Sequence, residues 1–217
     1  MLLKWIVCTV SDECKNSFSE KQQKWKEISS ISGFLGQVGG WDLKAPDDAC
    51  IVCLWQDQFS YKEFMEKEHD RIFLDNNQAA VFEKIEVTLL EPTSIMPGVH
   101  KNMLDCLHLA KAIRVADCFV IPEREEHFNQ AEKQIWIPGM AQAQGMLAGS
   151  YNKALGKDVR YIVTTLWASL EEHNQYAQTL MPEMQKKSEV SHDIKRMLGR
   201  VIVLDDNWLV APATATR

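Results

Sequence analysis

The sequence predicts an α+β fold in which two tandem repeats of the order β-α-β-β-α-β stack sheet to sheet as a barrel within one chain. A shift of 112 positions places Gly33 on Gly145 and Trp55 on Trp167, and self-similarity at a fixed shift indicates repeated domains. Each half alternates apolar runs with polar helical segments. The first and third runs are apolar on both faces, so both sides of each sheet must be covered.

The two halves align without a gap from Ile6 over Cys118 to Phe64 over Tyr176. The length of 217 residues suits one or two domains. We therefore expect three segments: repeat 1 at 1–97, a connector at 98–108 and repeat 2 at 109–217.

In the first half, Ser11-Asp12-Glu13 provides a cap and an acidic first turn for a helix that runs to about Ser30. The apolar residues of this helix recur at spacings near three, four and seven, which is typical of one buried stripe. The glycines of the second strand indicate a close approach to its backbone or a bulge. The predicted strands are 4–10, 33–41, 49–55 and 83–90, and the second helix is 61–67.

The second half repeats this plan. Its predicted strands are 112–121, 145–153, 161–167 and 201–205, and its helices are 123–137 and 170–181. Pro138 should kink or end the first of these helices, because proline lacks an amide hydrogen and clashes with the preceding turn. Residues 192–198 should add one or two helical turns, and the prolines at 92 and 97 should break the chain into a connector.

This order of elements is the ferredoxin-like plan, which covers only one face of its sheet with helices. Stacking the two repeats around a pseudo-two-fold axis would cover the other face. Four strands from each repeat then approach a closed barrel.

Composition limits the classes of function. The chain has 24 basic and 30 acidic residues, a net charge of -6, so nucleic acid is not an expected partner. The first ten residues are too short for a signal peptide or a membrane span, and we expect a cytoplasmic protein. The six cysteines should be reduced, and Cys50 and Cys53 should point to opposite faces of a strand. The six histidines lack metal-site spacing, so no metal is predicted.

The strand that ends in Leu54-Trp55, the following Phe59 to Met65 segment and the Gly33 to Gly36 turn recur in the second half. These features resemble the dimeric α/β barrel superfamily, which includes antibiotic-biosynthesis monooxygenases and the heme-degrading IsdG-like enzymes. Within that superfamily the chain is similar to the uncharacterised YdbC-like proteins of bacilli.

The resemblance implies two kinds of chemistry. IsdG-like enzymes hold heme with a helix histidine, a strand-one asparagine and a tryptophan after strand three. Here the tryptophan position falls on Phe64 and Tyr176, the asparagine position falls near Ile6 and Cys118, and His69 lies several residues early. Heme degradation is therefore the less favoured hypothesis, and no cofactor is predicted.

We interpret the chain as a small-molecule-handling barrel. The enzyme activity expected for it is that of a cofactor-independent monooxygenase that acts on a small hydrophobic or aromatic compound. Arg114 would stabilise a substrate anion, and the second half is favoured because it has more hydrogen-bonding aromatics. The alternative is a non-catalytic ligand-binding or stress-related barrel whose aromatics serve as core. The chain would be a monomer with internal pseudo-symmetry or a weak homodimer. The candidate catalytic residues are Arg114, His173, Tyr176 and His69, and the candidate cavity residues are Trp5, Trp55, Phe64 and Trp167.

Overall fold

The computed structural model describes residues 1–213 and contains eight strands and seven α-helices within that range. Two π-helical segments, Met65–His69 and Glu132–Trp136, interrupt helices. In chain order the elements are β1 (Leu2–Thr9), α1 (Lys15–Lys24), β2 (Phe34–Asp42), β3 (Asp48–Trp55), α2 (Gln58–Phe64), α3 (Asp70–Asp75), β4 (Lys84–Pro97), β5 (Ala112–Val120), α4 (Glu125–Ala131), α5 (Ile137–Met140), β6 (Met146–Ala154), β7 (Arg160–Trp167), α6 (Leu170–Gln178), α7 (Leu180–Ser188) and β8 (Ile194–Leu204).

The strands follow the hydrogen-bonded order β1-β3-β2-β8-β5-β7-β6-β4 of a closed barrel. Each of these eight strands therefore has a hydrogen-bonded neighbour on both sides. The predicted fold class, α+β with a closed barrel of antiparallel ferredoxin-like sheets, is confirmed. That the two halves arose by duplication stays a prediction. No helix within residues 1–213 is long and apolar enough to cross a membrane.

The described chain divides into two compact units. The first contains Met1–Leu90 and the residues from Ile202 on, and the second contains Glu91–Val201. This division differs from the expected segments at 1–97, 98–108 and 109–217, because β4 begins in one unit and ends in the other, as does β8.

In the first unit, β1 lies between β3 and β4, with Leu3 opposite both Leu54 and Leu90. The helices cover one face of this sheet, and Phe18 of α1 is fully buried there. The same core includes Trp208, whose ring lies 5.5 Å from that of Phe18.

In the second unit, β7 lies between β5 and β6. Its core includes Phe128 of α4 together with a stacked pair of rings, Tyr151 and Tyr161, 5.0 Å apart. Tyr151 donates a hydrogen bond to Asn129 Oδ1, and Tyr161 donates one to Glu125 Oε1. The buried phenols therefore have partners on α4.

Strand register corrects the alignment of the two halves. Leu2 lies opposite Trp55 in β3, and Ala112 lies opposite Trp167 in β7. The first strands therefore correspond at a shift of 110, which matches Cys8 to Cys118, and the ungapped shift of 112 is wrong there. The second half has two more residues between its first helix and the glycine that precedes its second strand, Gly145.

Several predicted element boundaries are also wrong. β4 continues through Pro92 to Pro97, because proline's φ suits an extended backbone and removes only one donor from the ladder. Residues 194–198 belong to β8 and are not helical. The helix after β3 extends beyond 67, through the π segment and α3 to Asp75.

Candidate functional site

A cavity of about 600 Å³ lies in the second unit between one face of the sheet and the helices. A volume of this size accepts a drug-sized molecule. Alternate residues of β5 point to the same face, which is why Arg114, Ala116 and Cys118 all line the cavity. Phe128, Trp136, Met140 and Val163 make the inner walls apolar.

Glu132 is the buried acid of this cavity. It lies on the apolar stripe of its helix, four residues after Phe128 and four before Trp136, and it is 5% exposed. Its Oε2 is buried and has no hydrogen-bond partner within residues 1–213. Burial raises the pKa of the Glu132 carboxyl to about 8, and the positive charge of Arg114 opposes that rise. A carboxyl that titrates near neutral pH can both accept and donate a proton.

Arg114 provides the positive charge of the inner cavity. Its Nη2 lies 3.8 Å from Met181 Sδ, a weak acceptor, and it forms no ion pair with any described carboxylate. Its guanidinium N–H groups therefore remain available to an anionic ligand.

The π-helical segment Glu132–Trp136 places both Glu132 and Trp136 on the cavity wall. The segment lies directly before α5, in which Pro138 occupies the first turn. A wider helical turn accommodates the missing proline amide, so the helix continues to Met140 where an end or kink was expected at Pro138. The Trp136 indole Nε1, like Glu132 Oε2, is buried without a partner in the described structure.

The exposed end of the cavity lies where α7 ends and β8 begins. Gln185, Lys186, Lys195 and Arg196 line it and are exposed to solvent. The preceding turn is held in place by Asp193, a fully buried carboxylate that accepts a hydrogen bond from Arg124 Nε at 2.8 Å and pairs with His127 Nδ1 at 2.5 Å. These contacts tie the start of β8 to the first helix of the unit.

The other candidates of the second half lie outside the lining of this cavity. Trp167 is fully buried, donates from Nε1 to Thr165 Oγ1 at 3.0 Å, and packs with its ring 4.9 Å from Tyr176 and 5.3 Å from His173. The Tyr176 hydroxyl is buried without a described partner, and Tyr176 lines a separate cavity of about 180 Å³. Burial raises its pKa, and Arg114 counteracts that rise.

The candidates of the first half occupy a smaller space. Trp55, Phe64 and His69 line a cavity of about 70 Å³, to which Lys4, the register counterpart of Arg114, also contributes. His69 is surrounded by the rings of Trp25, Phe64 and Phe73, all 5.7–5.8 Å away, and it pairs with Asp70. Aromatic side chains thus fill most of this space.

Trp5 is the one candidate on the opposite face of its strand. It lies between Lys4 and Ile6, which both line the small cavity, and neighbouring residues of a strand point to opposite faces. The structure therefore brings Arg114 alone, of the eight predicted site residues, to the large cavity.

Glu132 and Trp136 were missed by sequence reasoning. The available signal was an acidic residue on an otherwise apolar stripe, at four-residue spacing from Phe128 and Trp136. Such a carboxyl must lose water on folding, and buried carboxyls with shifted pKa values cluster at functional sites. At the corrected shift of 110, Glu132 corresponds to Gln22, which is also buried. The ungapped shift of 112 did not reveal this correspondence.

The described lining of the large cavity lacks the two commonest kinds of axial heme ligand, a histidine and a cysteine thiolate. No histidine among residues 1–213 lines this cavity, and burial raises the pKa of the Cys118 thiol to about 12, which keeps the sulfur protonated. Residues 1–213 contain no group of three His, Cys, Asp or Glu side chains that could hold a metal ion, and none of their six cysteines forms a disulfide bond.

Comparison with known proteins identifies the family. A domain of unknown function, DUF4937, matches residues 2–90. The uncharacterized protein YdbC of Bacillus subtilis strain 168 is 40% identical over 110 residues, which cover 50% of this chain and 87% of YdbC. The chain belongs to the YdbC-like family.

Solved structures share the barrel fold of this chain. A presumed monooxygenase from Lactobacillus acidophilus NCFM superposes with a TM-score of 0.73 at 16% identity, covering 97% of this chain and 96% of that one. An anthrone oxidase-like protein superposes with a TM-score of 0.69 at 13% identity, covering 94% and 91%. Identities this low show a shared fold alone.

Proposed function

We propose that the large cavity of the second unit is the active site of a cofactor-independent monooxygenase that acts on a small aromatic compound. The observation that carries this proposal is Glu132, a buried carboxyl without a hydrogen-bond partner on the wall of an apolar cavity that also contains Arg114. The neighbouring folds, a presumed monooxygenase and an anthrone oxidase-like protein, support the same class of reaction.

The reaction begins with proton transfer. The Glu132 carboxylate removes a proton from an acidic ring methylene of the substrate, and Arg114 stabilises the negative charge on the conjugated oxygen. The apolar walls exclude water, which strengthens this electrostatic interaction. The substrate itself becomes the electron donor.

Molecular oxygen then accepts the electrons. A C–O bond forms between the carbanion and O2, and protonation by the Glu132 carboxylic acid yields a hydroperoxide. Loss of the second ring proton breaks the O–O bond, forms a ketone and releases water. One CH2 group and one O2 are thereby converted to one C=O group and one H2O.

The test is oxygen uptake with anthrone as the probe substrate, corrected for its spontaneous oxidation and accompanied by chromatography of the quinone product. We expect the Glu132→Gln variant to lose about 10²-fold or more in rate, the usual contribution of a general base. Glu126→Gln, an exposed acid on the same helix, is the matched control. Its rate should equal that of the parent protein.

A failure of catalysis would favour the alternative function. If aromatic compounds bind in the large cavity but oxygen uptake never exceeds the spontaneous rate across several activated substrates, the protein is a ligand-binding barrel. Equal rates for Glu132→Gln and the parent protein would exclude Glu132 as the base.

A further inference from the structure

The exposed end of the large cavity carries three cations: Lys186, Lys195 and Arg196. None of them forms an ion pair with a carboxylate among residues 1–213. The Arg196 guanidinium lies 4.1 Å from the centre of the Phe119 ring, and Phe119 is on the face of β5 opposite to Arg114, Ala116 and Cys118, so this contact holds the Arg196 charge away from the cavity. Unpaired cations are unexpected here, because the chain has more acidic than basic residues.

The inner cavity adds a fourth unpaired cation, Arg114. Among residues 1–213, Glu132 is the only acidic residue that lines the cavity. Burial raises the pKa of Glu132, so this carboxyl is mostly uncharged at neutral pH. The lining therefore has an excess of positive charge in a protein whose net charge is -6, and a cleft of one charge with low-dielectric walls attracts ligands of the opposite charge.

We propose that the ligand of this cavity is an anionic aromatic compound, with its ring against Phe128 and Trp136 and its acidic group at Lys186 and Lys195. The apolar walls take the ring, and the two exposed lysines neutralise a carboxylate or related anion. This substrate class rests on the proposed function for its chemistry at Glu132, but its binding does not depend on catalysis.

Binding of a matched pair of probes tests the substrate class. We expect 1-hydroxy-2-naphthoate to bind at least 10-fold more tightly than 1-naphthol at pH 7, as measured by calorimetry. Because salt screens charges near the surface, this difference should shrink between 20 mM and 500 mM sodium chloride, a range over which the Debye length falls severalfold.

Variants assign the preference for the anionic probe to the two lysines. Lys186→Gln and Lys195→Gln should each weaken binding of 1-hydroxy-2-naphthoate by about 3- to 10-fold and leave the affinity for 1-naphthol unchanged. Lys187→Gln is the matched control, because Lys187 is an exposed lysine of the same helix and does not line the cavity. It should bind both probes as the parent protein does.

Equal affinity for the two probes, no binding of either, or an equal loss in Lys187→Gln would overturn the inference. Preferential binding of the anion without oxygen uptake would refute the monooxygenase proposal and leave the anionic ligand class intact. Oxygen uptake with neutral substrates and no preference for the anion would refute the anionic ligand class and leave the monooxygenase proposal intact.

Discussion

At the scale of the residue, burial of the Glu132 carboxyl lowers the stability of the folded protein and also suits this group to proton transfer. A carboxylate that loses its water without gaining hydrogen bonds is destabilised, so the proton stays on at pH values where an exposed glutamate is ionised. The same protonation equilibrium makes the group an acid and a base near neutral pH. Its pKa therefore leads to two separate predictions.

The first prediction concerns activity. If Glu132 is the base, kcat/KM should rise with pH and level off above an apparent pKa near 8, because the reactive form is the carboxylate. Glu132→Gln should remove this titration from the pH profile. A profile of the parent enzyme that levels off below pH 6 would contradict the assignment.

The second prediction concerns stability. The Glu132 pKa is raised from 4.5 to about 8 on folding, so the folded state binds more protons than the unfolded state between these pH values. The free energy of unfolding should therefore fall as pH rises from about 4.5 to about 8. Glu132→Gln removes this penalty, and its stability relative to the parent should increase by on the order of 3 kcal/mol between pH 5 and pH 9.

Urea denaturation of the two proteins at pH 5 and pH 9 measures this difference directly. Glu126→Gln serves again as the exposed control and should show no such change. A constant difference between parent and Glu132→Gln at both pH values would mean that Glu132 is ionised in the folded protein.

At the scale of the element, the turn before each second strand requires glycine. Gly33 and Gly145 have φ values of +77° and +75°, a conformation that side chains with a Cβ rarely adopt. A Cβ at Gly145 would lie 2.6 Å from Glu172 Cβ, within the capping box in which Ser169 Oγ accepts a hydrogen bond from the Glu172 amide. The turn and the start of α6 are thus coupled.

We therefore predict that Gly145→Ala lowers the free energy of unfolding by about 1–3 kcal/mol, from backbone strain and displacement of the Glu172 side chain. Gly199→Ala is the control, because a Cβ at Gly199 meets no atom within 4 Å and the residue has no positive φ. Its stability should change by less than about 0.5 kcal/mol. Equal effects in the two variants, measured by urea denaturation, would refute the role of the turn.

Sequence patterns predicted most elements and failed at specific ones. The first helix and the apolar strands were found because their signals are local, but Ser11 makes no capping hydrogen bond through its side chain. The segment at 194–198 was expected to be helical but belongs to β8, since its backbone pairs with distant strands. The π segment before Pro138 was missed, because a local rule states that proline breaks a helix but not how the preceding turn accommodates it.

At the scale of the whole molecule, the two units have similar elements but differ in how much of the space beneath their helices is filled. In the first unit, Trp25, Phe73 and Phe82 contribute to the lining of a cavity of about 70 Å³. In the second, a cavity of about 600 Å³ remains. When the first strands of the two units are aligned at the shift of 110, Ile6 corresponds to Ala116. Ile6 lines the small cavity and Ala116 lines the large one.

This correspondence predicts the effect of Ala116→Ile. The larger side chain should occupy part of the large cavity and weaken binding of 1-hydroxy-2-naphthoate at least 10-fold, while the fold stays intact because the added groups enter empty space. Calorimetry and thermal unfolding measure the two effects. Ala116→Ser, which adds little volume, is the control and should bind as the parent does; unchanged affinity in Ala116→Ile would place the ligand elsewhere.

The sequence by itself determined the α+β class, the order of strands and helices, the family resemblance and Arg114 as a candidate residue, because hydrophobic periodicity, capping and turn signals are local. Tertiary structure alone decided the remainder. Strand register matched the first strands at a shift of 110, and side-chain volumes left the cavity in the second unit. Desolvation by residues distant along the chain raised the pKa of Glu132, and packing surrounded His69 with aromatic rings. These properties depend on which side chains meet in space, and no local pattern specifies that.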